Sequence, residues 1–379
     1  MIETVNKALL PAGLHDTLPP EADFEAQAIA ALMRTFESFG YERVQPPLVE
    51  FEESLIEGPG QALTAQMFRL MDPVSQRMMG VRSDITPQVA RIAVSRLAEA
   101  PRPLRLSYGG QVLRVRGSQL RPERQFAQVG AELIGSQALA ADAEVIQLAG
   151  EGLGRLGVAE LSLDLGLPLL VPEVCAGLGM TAESTGRARL ALDRKDAAAL
   201  NELEAAPARA LGALLEAAGP AGTCLAALAA LELPAPAAAM CEDLAGVVAG
   251  VEAALPELRL TIDPVEFRGL EYHSGISFSL FARETRGELG RGGRYRLSNG
   301  EAATGFTIFM DTLLRALPEN GPAEAVYLPP GCDPNQARAL RAEGRRAIQG
   351  LEAVADDRAQ ARRLGCSHIL EGGEVVALD

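Results

Sequence analysis

Residues 108–135 read YGGQVLRVRGSQLRPERQFAQVGAELIG. Within and just before this stretch, residues 103–116 and 124–135 have the composition of strands, and the polar connection GSQLRPE lies between them. Two apolar segments on either side of a short polar connection are typical of a β-hairpin. The stretch therefore predicts a long antiparallel hairpin.

The second strand of this hairpin has two faces of different character. One face is wholly apolar and belongs against a core; it carries Ala127, Val129, Ala131 and Leu133. The other face carries Phe126, Gln128, Gly130 and Glu132. Because glycine has no side chain, we expect room above Gly130 for a small polar ligand with an amino group. An ordinary solvated sheet face is the alternative.

Arginines cluster in the same hairpin. The cluster comprises Arg114, Arg116, Arg121 and Arg124. Guanidinium groups hold anions through paired hydrogen bonds. We interpret Arg114, Arg116 and Arg124 as candidate anion-binding residues, with a solvated basic hairpin as the alternative.

Helices are predicted on both sides of the first strands. Residues 19–40 predict a helix with an apolar stripe, and residues 86–100 predict a second helix, capped by Thr86. Asp84 precedes this helix, where it complements the helix dipole or faces the ammonium group of a ligand. Residues 41–51 read as a strand interrupted by two prolines, which places that strand at an edge or an interface.

The composition divides the chain. Residues 167–256 are rich in alanine and leucine and lack strand signals, so they predict a helical module inserted between two parts of one core, 1–166 and 257–318. In the second part, 303–309 reads as a strand that leads into a helix at Met310. After a linker composition at 319–325, residues 319–379 predict a small α/β domain.

Several classes of protein are excluded. The formal net charge of −15 disfavours a whole-surface grip on nucleic acid. The cysteines lack metal-ligand spacing, no Gly-Lys-Ser/Thr or Gly-x-Ser-x-Gly occurs, and no apolar run has the roughly 18–20 residues needed to cross a bilayer. We expect a cytoplasmic protein with no metal, no cofactor and no membrane contact.

Four segments, in this order, resemble the core of class II aminoacyl-tRNA synthetases of the histidyl type. They are LPAGLHDTLP, GYERVQPPLVEFEESL (motif 1, with Pro47 at the dimer-interface position), the hairpin quoted above (motif 2) and FRGLEYHSGISF, which resembles the histidyl-specific segment. The resemblance covers most of residues 8–318. It implies an α+β fold: an antiparallel sheet flanked by helices, with the helical insertion and a small C-terminal α/β domain.

The resemblance also implies a histidine site. The matching positions are Asp84, Thr86, Gln128, Glu132, Arg268 and Tyr272, together with His273, which replaces a tyrosine of the family. Arg114 falls on the motif 2 arginine that holds the α-phosphate of ATP. The family pattern Arg-Pro-Glu-x-Thr is altered at Ser83 and Asp84, and Glu271 replaces an aspartate.

Motif 3 departs most from the synthetases. Phe309 falls on its second glycine, Asp311 on its glutamate and Thr312 on the arginine that clamps the triphosphate. In motif 2, Arg116 replaces a glutamate. Phosphoryl chemistry depends on positioned positive charge, so we expect no adenylation and interpret the Gly-Arg-Gly-Gly-Arg-Tyr stretch at 290–295 as a preserved shell.

Such a core with a shortened anticodon-binding-like tail resembles the regulatory subunits of ATP phosphoribosyltransferase. The resemblance implies no catalysis by this chain, a short-form catalytic partner in a hetero-octamer of four plus four subunits, a homodimer through motif 1, histidine feedback control and no tRNA. The alternatives are an active histidyl-tRNA synthetase, another amino-acid-activating enzyme, and a histidine-binding module with a different partner.

Overall fold

The computed structural model describes residues 9–56, 64–118, 121–266, 272–318 and 324–378. They fall into two compact units, Met1–Pro318 and Glu319–Asp379. In chain order, the helices and strands of the first unit are α1 (Glu21–Ser38), β1 (Glu42–Arg43), β2 (Val49–Phe51), α2 (Glu52–Leu55), β3 (Phe68–Met71), β4 (Met78–Val81), α3 (Thr86–Ser95), β5 (Leu104–Leu113), β6 (Gln125–Ile134), α4 (Leu139–Arg155), β7 (Leu161–Gly166), α5 (Leu170–Gly177), α6 (Ala182–Asp193), α7 (Ala197–Leu200), α8 (Ala205–Glu216), β8 (Gly219–Pro220), α9 (Ala221–Ala229), α10 (Ala235–Ala254), β9 (Arg259–Asp263), β10 (His273–Ala282), β11 (Gly290–Arg296), β12 (Ala302–Phe309) and α11 (Met310–Ala316).

The main sheet has the strand order β1-β5-β6-β12-β11-β10-β7-β9-β8 over the described residues. From β5 to β7 every neighbouring pair is antiparallel. The pairs β1–β5 and β7–β9 are parallel. The α+β fold is confirmed, with an antiparallel centre and mixed edges.

The predicted hairpin is β5 and β6, which pair in continuous register from Leu104 opposite Ile134 to Leu113 opposite Gln125. The apolar face of β6 lies in the main hydrophobic cluster, where α1 contributes Ala28, Leu32 and Phe36. Burying a leucine or phenylalanine side chain stabilises a fold by about 1.5–3 kcal/mol. This face therefore fixes which side of β6 looks toward the core and which toward the site.

Strand β11 was not predicted, although it lies between β10 and β12 at the centre of the sheet. It is formed by GRGGRYR, a sequence with little intrinsic strand preference. A Cβ at Gly292 would collide with the carbonyl of Gly305 and the ring of Phe278. The glycine is therefore required by close packing between strands.

The helical segment predicted at 167–256 packs directly on the sheet. Buried residues of its helices α5, α6, α8, α9 and α10 share the main hydrophobic cluster with those of β6 and β7. The segment also contributes the two-residue strand β8, which pairs with β9 and was not predicted. None of the described helices combines the length and apolar character needed to cross a membrane.

A second, three-stranded sheet has the order β2-β4-β3. The proline-interrupted segment contributes to both sheets: it forms β1 before the prolines and β2 after them. β1 is the edge strand of the main sheet, as the prolines predicted. Pro47 and Leu48 are exposed.

Over residues 324–378, the second unit is a four-stranded sheet with two helices. Its elements are β13 (Ala325–Leu328), α12 (Pro334–Ala342), β14 (Arg346–Gln349), α13 (Asp357–Arg363), β15 (His368–Glu371) and β16 (Glu374–Ala377). The sequence of residues 334–348 reads as one helix, but α12 ends at Ala342. Gly344 has a φ of +79°, a conformation that ends helices, and β14 follows it.

Candidate functional site

A cavity of about 260 Å³ lies in the first unit, against the face of β6, β11 and β12 that looks away from the main cluster. Its polar lining includes Asp84, Thr86, Arg114, Arg121, Glu132, Tyr272, His273, Arg291, Tyr295 and Thr307. Carboxylates and guanidinium groups thus face one small volume. Such a cavity suits a ligand that carries both charges.

Glu132 lies at the base of the cavity and is 1% exposed. Tyr295 donates to Oε2 over 2.9 Å, and the Thr86 hydroxyl donates to Oε1 over 3.1 Å. Burial raises the pKa of Glu132 to about 8, although these hydrogen bonds oppose the shift. The group therefore holds its proton near neutral pH when no ligand is bound.

Gly305 gives Glu132 its space. The two residues lie opposite each other in the β6–β12 register. A Cβ at position 305 would overlap the Glu132 carboxylate. The glycine thus lets a buried acid lie flat against the neighbouring strand.

Asp84 and Gln128 are hydrogen-bonded to each other. Gln128 Nε2 donates to Asp84 Oδ2 over 3.0 Å, while its Oε1 accepts from the backbone N–H of Ile85 over 3.2 Å. Asp84 Oδ1 accepts from the backbone N–H of Thr86 over 2.9 Å. Asp84 lines the cavity, whereas Gln128 does not. Gln128 therefore orients Asp84 from beneath.

The space expected above Gly130 is filled by the protein itself. A Cβ there would collide with the Tyr108 hydroxyl and the carbonyl of Phe306. That hydroxyl lies 2.7 Å from Thr307 Oγ1 and 3.1 Å from Thr86 Oγ1. The expectation of a glycine floor at Gly130 was wrong, because the cavity instead lies beside Gly292, Gly293 and Gly305.

Tyr272 and His273 form one wall. Their ring centroids are 4.0 Å apart, and Tyr272 packs edge-on against Tyr295 at 6.2 Å. Burial raises the pKa of Tyr272. Arg268 lies outside the described residues, so its predicted place in the site stays a prediction.

The candidate anion-binding arginines are placed differently from one another. Arg114 lines the cavity, 4.0 Å from Asp84. Arg116 is exposed and lines a neighbouring cavity of about 450 Å³. Arg124 donates to the carbonyls of Arg114 and Ala12, so it fastens the N-terminal segment to the hairpin.

At the positions aligned with motif 3, side chains of the chain itself pack together. Phe309 is buried, and the guanidinium of Arg121 lies over its ring and within 5.3 Å of the Phe126 ring. Arg121 also pairs with Asp311 at 3.0 Å. The Thr312 hydroxyl, on the position of the clamping arginine, is buried within 3.5 Å of Arg121 Nη2.

Sequence reasoning missed Arg291, Tyr295 and Tyr108 as site residues. Arg291 and Tyr295 alternate with Gly293 along β11, a period-2 signal that becomes visible only once the segment is known to be a strand. Tyr108 faces the site because its register partner is Gly130. No group of three or more His, Cys, Asp or Glu residues suited to a metal occurs in the described residues.

A buried polar network links this site to the proline segment. The Arg82 side chain donates to the carbonyl of Pro46 over 3.1 Å. Gln88 Nε2 donates to the carbonyl of Pro47 over 2.7 Å and to the carboxylate oxygen Oε1 of Glu50 over 2.8 Å. The backbone N–H of Arg82 donates to the carbonyl of Leu48 (3.0 Å). Within residues 82–88, Arg82 and Gln88 thus hold this segment, and the site groups Asp84 and Thr86 lie between them in the chain.

Comparison with known proteins agrees with this geometry. The family model described as histidyl-tRNA synthetase matches residues 13–313. The ATP phosphoribosyltransferase regulatory subunit of Paramagnetospirillum magneticum is 54% identical over 379 residues, which cover 100% of both chains. The chain belongs to the family of ATP phosphoribosyltransferase regulatory subunits.

Solved structures show the same fold. A Bacillus halodurans protein described as an ATP phosphoribosyltransferase regulatory subunit/histidyl-tRNA synthetase has a TM-score of 0.80 and 25% identity, covering 93% of this chain and 96% of that one. A chain of the ATP phosphoribosyl transferase (HisG:HisZ) complex from Thermotoga maritima has a TM-score of 0.61 and 18% identity, covering 76% and 97%. At 18% identity the second likeness concerns the fold alone.

Proposed function

We propose that this chain is the non-catalytic regulatory subunit of an ATP phosphoribosyltransferase. It would act in the cytoplasm with a short-form catalytic subunit in the first step of histidine biosynthesis. One observation carries the proposal: a chain that matches a regulatory subunit over its full length at 54% identity keeps a polar cavity of about 260 Å³, while Thr312 replaces the arginine that clamps ATP in the synthetases.

Histidine is the ligand that this cavity suits best. Asp84 would hold the ammonium group, and Thr86 and Gln128 would fix the orientation of Asp84. Glu132 would meet an imidazole N–H, with Tyr272 and His273 beside the ring. A zwitterion leaves water only if both charged ends are met, because a buried unpaired charge costs several kcal/mol.

The assembly follows from the family and from the proline segment. We propose a homodimer through motif 1, because Pro47 and Leu48 are exposed on a segment whose carbonyls are held rigidly from behind. Four such chains would join four catalytic subunits.

Reconstitution tests the proposed function. The catalytic subunit is assayed for phosphoribosyl transfer alone and with this chain, at increasing histidine concentration. We expect this chain to raise the rate and to confer inhibition by histidine. A rate and a histidine response that this chain does not change would contradict the proposal.

Calorimetry tests the ligand. Histidine is titrated into the wild type and into Glu132→Gln, alone and with the catalytic subunit, with Glu99→Gln as the control because Glu99 is exposed and remote from the cavity lining. A ligand N–H that donates to Glu132 favours its ionised form. Removing this carboxylate should therefore weaken binding about ten- to a hundredfold, as expected for a charged hydrogen bond. Equal affinities in all three proteins would place the ligand elsewhere.

A further inference from the structure

We propose that Arg291 binds the carboxylate of the amino-acid ligand. This inference rests on the proposed function of the cavity, and it assigns the one charged end of an α-amino acid that Asp84 and Glu132 cannot meet. Arg291 lies on β11, which pairs with β10 on one side and with β12 on the other. The backbone of Arg291 is therefore held at the centre of the sheet.

The cavity separates its charges. Asp84 and Glu132 supply the acidic groups, and Arg114, Arg121 and Arg291 supply the guanidinium groups of the lining. If the ammonium group lies at Asp84 and the side chain of the ligand reaches Glu132, one of these three arginines is the partner that the described residues offer the carboxylate. Arg268, expected from its charge alone to face the carboxylate, lies outside the described residues. A carboxylate that loses its water shell needs such a partner.

Two of the three arginines contact residues distant in the sequence, whereas Arg291 pairs with Glu288, three residues earlier in the chain. Arg121 pairs with Asp311 at 3.0 Å and lies 3.7 Å from the centroid of the Phe309 ring. Arg114 Nε donates to the carbonyl of Ser83 over 3.3 Å, and its guanidinium lies over the Phe126 ring at 5.0 Å. Moving either group toward a ligand would break contacts that close the site.

Arg291 is the most available of the three, with a side chain 35% exposed against 11% for Arg121 and 19% for Arg114. Its bonds within the described residues run from Nε and Nη2 to Glu288, three residues earlier in the chain. Nη1 is therefore left for a second acceptor. Asp84 and Tyr272 line the same cavity as Arg291.

The register also aligns Arg291 with the ligand. It lies opposite Thr307 of β12, whose hydroxyl contacts Tyr108, and Tyr108 contacts Thr86. The hydroxyl groups of Thr307, Tyr108 and Thr86 form a chain of contacts that ends at Glu132. Arg291 lies on the strand next to Thr307, where this chain begins. A small amino acid can span the width between these two strands.

The test compares two ligands that differ only in the carboxylate, histidine and histamine. Both are titrated into the wild type, Arg291→Gln and Arg291→Lys, with Arg296→Gln as a control. Arg296 lies on the same strand but is exposed and donates to the carbonyl of Gly300. Circular dichroism and thermal unfolding establish that each variant is folded.

We expect Arg291→Gln to lose histidine affinity by about tenfold or more, as for a charge-assisted hydrogen bond, and to leave histamine affinity unchanged. Arg291→Lys should fall between the two, because it keeps the charge without the planar fork. Unchanged histidine affinity, or an equal loss for both ligands, overturns the assignment alone. A wild type that binds neither ligand overturns the proposed function together with it.

Discussion

The guanidinium of Arg121 lies over the ring of Phe309, with Cζ 3.7 Å from the ring centroid. Cation–π contacts of this kind are worth about 0.5–2 kcal/mol, and the same guanidinium also pairs with Asp311. A nucleotide that approached Phe309 would have to displace both contacts. These contacts and the missing arginine at Thr312 are therefore two separate obstacles to ATP.

We expect no adenylation as a consequence. In pyrophosphate exchange with histidine and magnesium-ATP, the purified chain should stay at background. Thr312→Arg alone should not restore exchange, because Arg121 would still hold its contacts with Phe309 and Asp311. An active histidyl-tRNA synthetase run in parallel is the control. Exchange that rises in proportion to the amount of this chain would contradict the prediction.

The raised pKa of Glu132 predicts a pH dependence of stability. The folded protein keeps this proton up to about pH 8, whereas an unfolded glutamate loses it near pH 4.3. Between these values unfolding releases a proton, so the contribution of Glu132 is fully present below the unfolded pKa and is lost as pH rises through the folded one. Wild type should therefore lose stability relative to Glu132→Gln as pH rises.

Urea unfolding at several pH values measures this effect. Between pH 5 and pH 8, the free energy of unfolding of the wild type should fall by at least about 1 kcal/mol relative to that of Glu132→Gln, since one pKa unit corresponds to about 1.4 kcal/mol. Glu99→Gln should follow the wild type. A pH-independent difference between wild type and Glu132→Gln would show that the buried carboxyl is ionised throughout.

The ion pair between Arg294 and Asp142 predicts a large loss of stability. Their side chains are 14% and 4% exposed, with Nη2 and Oδ2 2.6 Å apart, and Arg294 also donates to the carbonyls of Ser136 and Ala138. Arg294→Met should destabilise the first unit by about 3 kcal/mol, because it leaves a buried carboxylate unpaired. Asp142→Leu in the same chain should recover part of the loss; a strictly additive double variant would refute the coupling.

The proposed homodimer predicts that a charged substitution at Leu48, which is 48% exposed, disrupts dimerisation. Leu48→Arg should convert the dimer to a monomer in analytical ultracentrifugation, since two like charges would face each other across the twofold axis. Val74→Arg, at a position 90% exposed, should leave the dimer intact. The reverse pattern would move the interface to the β3–β4 hairpin.

The hairpin and its site face were predictable because their signal is local. Alternation along β6 separates Val129 and Ala131 from Gln128 and Glu132, and the turn composition fixes where the strands end. The structure places the backbone accordingly. Asp84 was predictable for the same reason, since the start of α3 is marked by Thr86 and Pro87.

The rest depended on neighbours distant in the sequence. The glycines and arginines of β11 carry no strand signal of their own. This segment forms a strand because it pairs with β10 and β12 on either side. Without that strand, Arg291 and Tyr295 could not be assigned to the cavity. The error at Gly130 has the same origin, because Tyr108 fills its space from across the hairpin.

The overlap between a side chain at position 305 and the Glu132 carboxylate also constrains how this family can change. Removing the acid would not free the position, because a Cβ at 305 would also lie 2.6 Å from the carbonyl oxygen of Ala131. Glycine at position 305 should therefore persist among relatives, including members in which Glu132 has been replaced.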